Sequence, residues 1–373
     1  MNSDKRFIPV AAPALVGNER AYVLDCMDSS WISSNGIYIE KFESAFADFC
    51  QVKHALSCCN GTVALHLALL ALGIGPEDEV IVPTLTYVAT ANAVTYCGAK
   101  PVFIDSEPLT WNLDPELIES LITSRTKAIM VVHLYGHPAN MQPILKIARK
   151  YNLFVVEDAA EAHGAMYNDR KVGSMGDVSA FSFYGNKIVT TGEGGMVTTN
   201  SDELAAKIRQ TKGQGMDPDR RYWFTMVGYN YRMTNIEAAI GLAQLEKVAW
   251  HIQRRREVAR LYQKHLNGVK GVNLQPEMPW ASNAYWMTSL VLDDHAQISR
   301  DVLREGLAEA GIETRSFFYP IHTLPMYASS VSSRPTFPVA ESLSRRGLNL
   351  PSSALLSEGE IAFISNQIAL LVS

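Results

Sequence analysis

The sequence predicts an α/β protein whose larger part holds a mainly parallel sheet, followed by a smaller C-terminal α+β domain. Three observations carry that prediction. Short apolar and β-branched runs alternate with stretches of helical spacing between Glu79 and Lys212. The capping-box spacing Thr234-Asn235-Ile236-Glu237 opens a long helical pattern of Ala, Leu, Glu and Arg that reaches about Leu266. The length, 373 residues, exceeds what one simple core organises and lets roughly three quarters of the unfolded surface be buried. Residues 1–250 are therefore expected to form a large domain and residues 251–373 a small one.

Taken in order, strands are expected at Glu79 to Val82, Pro101 to Ile104, Ala128 to Val132, Leu153 to Glu157, Val178 to Phe183 and Met196 to Thr199. Between them, Thr62 to Leu72, Val88 to Tyr96, Met141 to Tyr151 and Ser201 to Lys212 have helical spacing. Beyond the long helix, Ser289 to Leu292 reads as a strand, with Arg300 to Ala310 and Ile361 to Leu371 as helices. Sheets of this kind collect ligands at the C-terminal ends of their strands.

Composition narrows the function classes. With 47% hydrophobic residues, 19% charged residues and a formal net charge of −5, the chain has the balance of a soluble globular protein and no sign of a polyanion partner. The one basic run, Arg254-Arg255-Arg256, lies in the long helical pattern and is expected to be a solvated face. Five cysteines with no C-x-x-C pair indicate neither a zinc ribbon nor a disulfide framework and suggest reducing cytoplasm. Met1 to Pro9 is polar and short, unlike an export signal, and no run of about 18 apolar residues suggests a membrane span.

Lys187 stands in "SFYGNKIVTTGEGGMVTTN", Ser182 to Asn200, among aromatic, small and apolar residues. A free lysine amine titrates near 10.4, so a nucleophilic role needs burial to bring it down. A lysine snorkelling from a strand end fits the same stretch. In "NLFVVEDAAEAHGA" an apolar strand ends in Glu157-Asp158, placing a carboxylate at the strand's C-terminal rim. Asp158 could pair with a protonated pyridine nitrogen, or simply cap the next turn. Asn60-Gly61-Thr62 precedes a helix of Ala and Leu, and the free N–H groups of a first turn suit a phosphate dianion, although every helix needs a cap. Neither a G-x-x-x-x-G-K-[ST] loop nor a G-x-G-x-x-G fingerprint accompanies it. Tyr87, in "PTLTYVATANAV", could lie on a pyridine ring or pack in the core. His163 and the pair His133 and His137 invite a metal reading, but with Gly136 and Pro138 beside it the pair is not on a helix, so no metal site is expected.

Together these stretches resemble the DegT/DnrJ/EryC1/StrS family of pyridoxal-phosphate sugar aminotransferases, over nearly the whole chain. The likeness is carried by "WISSNG" from Trp31, "CNGTVALHLAL" from Cys59, "VPTLTYVATANAV" from Val82, "EDAAEAHGA" from Glu157, "SFYGNK" from Ser182, "TGEGGMV" from Thr191 and "GYNYRMTNIEAAIGLAQL" from Gly228. It implies the fold type I architecture of aspartate aminotransferase. Closer likeness, in "VAAPALVGNERAYVLDCMDSSWISS" from Val10, "KGQGMDPDRRYWF" from Lys212 and "GLNLPSS" from Gly347, is to members that aminate a GDP-linked 4-keto-6-deoxymannose.

The resemblance implies roles residue by residue. Lys187 would bind pyridoxal 5′-phosphate and move the proton between its C4′ and the sugar carbon. Asp158 would face the ring nitrogen, Gly61, Thr62 and Ser182 would hold the phosphate, and Tyr87 would stack on the ring. Glu161 occupies a position that usually meets the cofactor's 3-hydroxyl oxygen and that is Gln in many members. Asn230 would reach the phosphate of a second subunit, which implies a homodimer, with a tetramer also open. Trp31, Arg315 and His322 match regions near substrate. The amine would pass from L-glutamate to the 4-keto carbon, in a cytoplasmic pathway feeding O-antigen or another surface polysaccharide. Two other readings are a sibling acting on a dTDP or UDP sugar and a non-catalytic nucleotide-sugar-binding regulator. The related lyases carry histidine where this chain has Lys187.

Overall fold

The computed structural model describes residues 7–294, 296–328 and 336–373. The first six residues of the polar N-terminal stretch therefore lie outside the described residues. Strands are numbered in chain order. The main sheet contains β1 (His54–Cys58), β2 (Glu79–Pro83), β3 (Lys100–Ile104), β4 (Thr126–Val132), β5 (Phe154–Asp158), β8 (Val178–Ser182) and β9 (Gly195–Thr199). Its spatial order is β1-β9-β8-β5-β4-β2-β3. The pairs β2/β3, β2/β4, β4/β5 and β5/β8 are parallel, and only β9 runs against its neighbours.

The parallel strands are legible because both faces are covered. The two residues after Glu79 in β2 and the last three of β5 are buried without alternation, as expected for strands packed under helices on either side. The chain leaves β2 for β3 on one side and β4 for β5 on the other, so the strand order reverses between β2 and β4. The C-terminal ends of β2, β4, β5 and β8 meet around that point, where an α/β sheet opens a crevice.

Two smaller sheets follow. β6 (Met166–Tyr167), β7 (Arg170–Lys171) and β11 (Ala281–Ser282) form one, in the order β11-β6-β7. β10 (Val272–Leu274), β12 (Thr288–Leu292), β13 (Arg315–Ser316) and β14 (Gly347–Leu350) form the other, in the order β10-β12-β14-β13. A large core surrounds the main sheet, with Phe42, Phe46, Phe181 and Phe183 at its centre. A second core gathers Val258, Leu261, Tyr262, Leu303, Leu307, Ile361, Ile364 and Ile368, together with Ile8 from the chain's start. Ile8 bridges Ile312 in parallel fashion, and Val10 O accepts from Ser352 N–H at 2.9 Å.

Two expectations need correction. The long helical pattern is two helices, Asn235–Glu246 and Val248–Leu266, with Lys247 (φ −107°, ψ 8°) out of helical geometry between them. The predicted capping box is present at Thr234 and Glu237. The arginine run is not a solvated face. Arg255 is buried and donates through Nη1 to the carbonyls of Trp286 (2.7 Å) and Ser352 (3.1 Å). Arg254 reaches the carbonyls of Ala354 and Leu356, and Arg256 reaches Glu277 and the carbonyl of Asn283. Loop carbonyls left unpaired by irregular backbone take these guanidinium donors, because a buried C=O must find a partner.

Candidate active site

Asn60 caps the helix Gly61–Ala71, its side chain accepting from Val63 N–H at 3.0 Å. The first turn behind it presents backbone N–H groups and the positive end of the helix dipole. Gly61 is pressed against the end of β8: a Cβ there would lie 2.6 Å from Ser182 Cβ. A Cβ on Gly195 would lie 2.4 Å from the carbonyl oxygen of Asn60. The two glycines let the helix start, β8 and β9 close into one cradle, with Thr62 beside it and the Ser182 hydroxyl accepting from Tyr184 N–H at 3.3 Å.

Asp158 ends β5 and is buried. Thr90 Oγ1 donates to its Oδ2 at 2.8 Å, and Ala160 N–H donates to Oδ1 at 3.2 Å. Burial raises its pKa above the ordinary carboxylate range, against the pull of these donors and of Lys187. Glu161, one turn on, is also buried, and Tyr135 N–H donates to its Oε2 at 2.8 Å. Desolvation pushes Glu161 up to about 7, with Lys187 opposing.

Lys187 follows a turn in which its N–H donates to Tyr184 O at 2.9 Å. Its side chain is 11% exposed, and Nζ lies 3.9 Å from Glu161 Oε1. Burial lowers the amine's pKa; Glu161 and Asp158 raise it, while Arg255 and Arg315 lower it further. Behind the lysine segment, His163 is fully buried beside Phe46, Phe181 and Phe183, and desolvation drops it to about 3, so it adds no charge at neutral pH. The amine is thus as dry as its sequence neighbours suggest.

Tyr87 precedes the helix Ala89–Tyr96 and is 58% exposed, its ring 5.8 Å from that of Phe318. It is not a core residue, and one face remains available to a ligand ring. Arg315 opens β13, close enough for its charge to act on Lys187. His322 has both ring nitrogens engaged, Nδ1 with Thr84 Oγ1 at 2.7 Å and Nε2 with Glu341 Oε1 at 3.3 Å. That anchors it beside the loop after β2 and leaves it little capacity for substrate. Trp31 is exposed, on a loop fixed by Asn235 Nδ2 donating to the Trp31 carbonyl at 2.7 Å. Asn230 is exposed between Tyr229, whose N–H reaches Thr211 O, and Tyr231, whose carbonyl accepts from Cys59 N–H.

His133 and His137 have protein partners. His133 Nδ1 accepts from Ala139 N–H, so its Nε2 carries the proton and donates to Glu157 Oε2 at 3.1 Å. His137 Nε2 accepts from Met278 N–H. One residue at the site was not anticipated: Trp286, whose ring centroid lies 3.8 Å from Lys187 Nζ. Nothing in its local sequence separates it from an ordinary packed tryptophan.

The donor set suits pyridoxal phosphate on these observations. A cradle whose closure a Cβ at Gly61 would block, an exposed tyrosine face, a buried acid short of partners and a dry lysine are arranged around one sheet end.

Comparison with known proteins agrees. The model of the DegT/DnrJ/EryC1/StrS aminotransferase family matches residues 13–369. A GDP-perosamine synthase of Caulobacter vibrioides is 56% identical over 360 residues, covering 96% of each chain. Its counterpart in Escherichia coli O157:H7 is 51% identical, covering 97% of this chain and 98% of its own. The crystal structure of S. venezuelae DesV superposes with a TM-score of 0.90 at 35% identity, covering 95% of this chain and 94% of its own. With a matching family model over most of its length and relatives above half identity, this chain belongs to the DegT/DnrJ/EryC1/StrS aminotransferase family.

Proposed function

We propose that the protein transfers an amino group from L-glutamate to the 4-keto carbon of GDP-4-keto-6-deoxymannose, giving GDP-perosamine. It is a pyridoxal-phosphate aminotransferase of the fold type I architecture. The observation that carries the reading is the dry Lys187 amine held 3.9 Å from Glu161, beside the buried Asp158. The two relatives named GDP-perosamine synthase support the choice of nucleotide sugar.

When bound, pyridoxal phosphate supplies a carbonyl carbon that accepts an amine from one substrate and gives it to the next, and a ring that spreads the electron pair between. The chain's residues do the rest. The helix start at Gly61 and Thr62, with Ser182, would bind the phosphate. Tyr87 would cover one ring face. Asp158 would hold a negative charge against the ring nitrogen; its raised pKa falls again beside a cation, because an opposite charge favours the ionised form. Glu161, pushed up to about 7 by burial, would hold a proton through part of the neutral range and place it at the 3-hydroxyl oxygen. Lys187 Nζ, whose pKa burial lowers, would give and take the proton at the reacting carbon.

The reading extends to a homodimer in which Asn230 serves the neighbouring subunit's phosphate. The exposed Tyr222, Trp223, Phe224 and Val227 just before it support an interface there. No described helix is long and apolar enough to cross a membrane, and all five cysteines are free thiols, which supports a cytoplasmic setting. The test is to incubate purified protein with glutamate and GDP-4-keto-6-deoxymannose and to identify the product by mass and NMR. Amination of dTDP or UDP keto sugars with none of the GDP substrate would overturn the nucleotide assignment. Protein that takes up no yellow cofactor would overturn the enzyme.

A further inference from the structure

The family resemblance accounts for Lys187 but not for the side chain lying against it. Trp286 is 5% exposed, and its ring centroid is 3.8 Å from Lys187 Nζ. Its indole Nε1–H donates to the carbonyl of Asn186 at 2.9 Å. The ring is thus tied to the residue just before the lysine while facing that lysine's amine.

The loop that delivers it is built for the purpose. Ala284 N–H donates to Gly136 O at 3.0 Å, and Met287 N–H donates to Tyr135 O at 3.3 Å, bracketing the tryptophan. Its own carbonyl accepts from the buried Arg255 at 2.7 Å. Tyr135 (φ 56°) and Tyr285 (φ 48°) both take left-handed backbone, which side-chain-bearing residues adopt only when the surroundings enforce it. Between the two strands of contact, a Cβ on Gly136 would lie 2.7 Å from Trp286 N, so that glycine is what admits the loop.

A tryptophan face carries partial negative charge and attracts a cation most strongly where water is excluded. The charged groups around the amine are Glu161 and Asp158, which favour its charged form, and Arg255 and Arg315, which oppose it. The titratable His163, packed against Phe46, Phe181 and Phe183, also feels the amine's charge. Neither carboxylate makes a close ion pair with Nζ, Glu161 being 3.9 Å away, so the indole is the nearest favourable partner.

We infer that Trp286 is a positioning residue for Lys187: its indole face holds the ε-ammonium whenever that amine is free of the cofactor, keeping a proton at Nζ without admitting water. The inference rests on the proposed role of Lys187. It also restricts a side chain with four rotatable bonds to one line of approach.

The test compares Trp286→Phe and Trp286→Leu with the wild type. In full-length protein stripped of cofactor, acetylation of Lys187 by acetic anhydride is followed against pH by peptide mass spectrometry. The midpoint is expected to fall by about one pH unit in Trp286→Leu and by less in Trp286→Phe, which retains an aromatic face. In loaded enzyme, kcat is expected to fall about tenfold in Trp286→Leu, with KM for the nucleotide sugar nearly unchanged and Trp286→Phe in between. An unchanged or raised midpoint in both variants, with lowered melting temperature alone, would show that Trp286 only packs, and would overturn the inference. A wild-type protein with no borohydride-reducible link between Lys187 and pyridoxal phosphate would overturn the lysine's assignment, and this inference with it.

Discussion

Glu157 and Asp158 are neighbours on β5, both buried, and their surroundings could hardly differ more. Glu157 takes N–H groups from Gly173, Met175 and Gly176 at 2.7–2.9 Å, the Ser179 hydroxyl at 3.1 Å and the His133 Nε2–H at 3.1 Å. Burial alone would raise it, but these donors, His133 foremost, bring its pKa below the usual value. Asp158 points to the other side of the sheet and receives one hydroxyl and one N–H, so burial wins and its pKa rises. The fold supplies all that Glu157 needs and leaves Asp158 short. A buried acid whose lone pairs are filled from its own chain holds the structure together; one left under-supplied is available to a ligand's charge.

The severest loss is expected at the amine, whose charge Glu161 and Asp158 favour. Lys187→Ala should lose turnover by about 10⁴-fold while leaving the melting temperature nearly unchanged, since it removes a buried charge with no close ion pair. Steady-state amination beside a thermal melt measures both, and normal turnover would remove the lysine from the mechanism. Next, Asp158→Asn should cost about 10³-fold in kcat, equivalent to an anion's roughly 4 kcal/mol on a cation about 4 Å away. Its stability should hold. Glu157→Gln is expected to do the reverse, lowering unfolding free energy by about 3 kcal/mol in denaturant melts while the folded fraction keeps its kcat. If the two variants behave alike, the division between structural and functional acid fails.

Two smaller effects sharpen the contrast. Thr90→Val removes the hydroxyl on Asp158 Oδ2 and should lower kcat about tenfold, with partial recovery in Thr90→Ser. The pH dependence of stability has opposite signs at the two kinds of acid. For Glu157 the folded pKa is depressed, so its contribution is present above the unfolded value near 4.3 and is lost as pH falls through the folded one. For Glu161 the folded pKa is raised to about 7, so ionisation costs stability above that pH, and the cost is relieved as pH falls towards the unfolded value. Cofactor-free Glu161→Gln should therefore melt higher than wild type at pH 8 and lose that advantage by pH 5. Melting curves at the two pH values decide it.

How much of this was legible in the sequence follows from the same physics. The strands β2, β3, β4, β5, β8 and β9 announce themselves as apolar runs because both faces are covered. β1 was missed because "HALSC" is short and mixed, and it becomes a strand by pairing with β9, which lies far away in sequence. The break at Lys247 contains neither glycine nor proline, so nothing local marks it. Lys187 and Asp158 stand out because each is a charge in apolar surroundings, and the structure brings them to one sheet end. The Arg254-Arg255-Arg256 run was misread because its partners are carbonyls, and every residue has a carbonyl. Trp286 escaped for a related reason: its meaning lies in what its face touches, and the segment it touches is a hundred residues earlier.

The anchoring of Ile8 and Val10 carries a consequence for how the molecule is made. Ile8 completes the second core only beside Ile312, and Val10 is held by Ser352. On the ribosome Ile8 and Val10 are made long before Ile312 and Ser352, and find their places only after those partners have followed. The main sheet, whose strands lie between His54 and Thr199, can assemble while synthesis continues. The apolar stretch around Ile8 and Val10 must meanwhile wait in solvent for its partners, which makes it a stretch in need of chaperone shielding during translation.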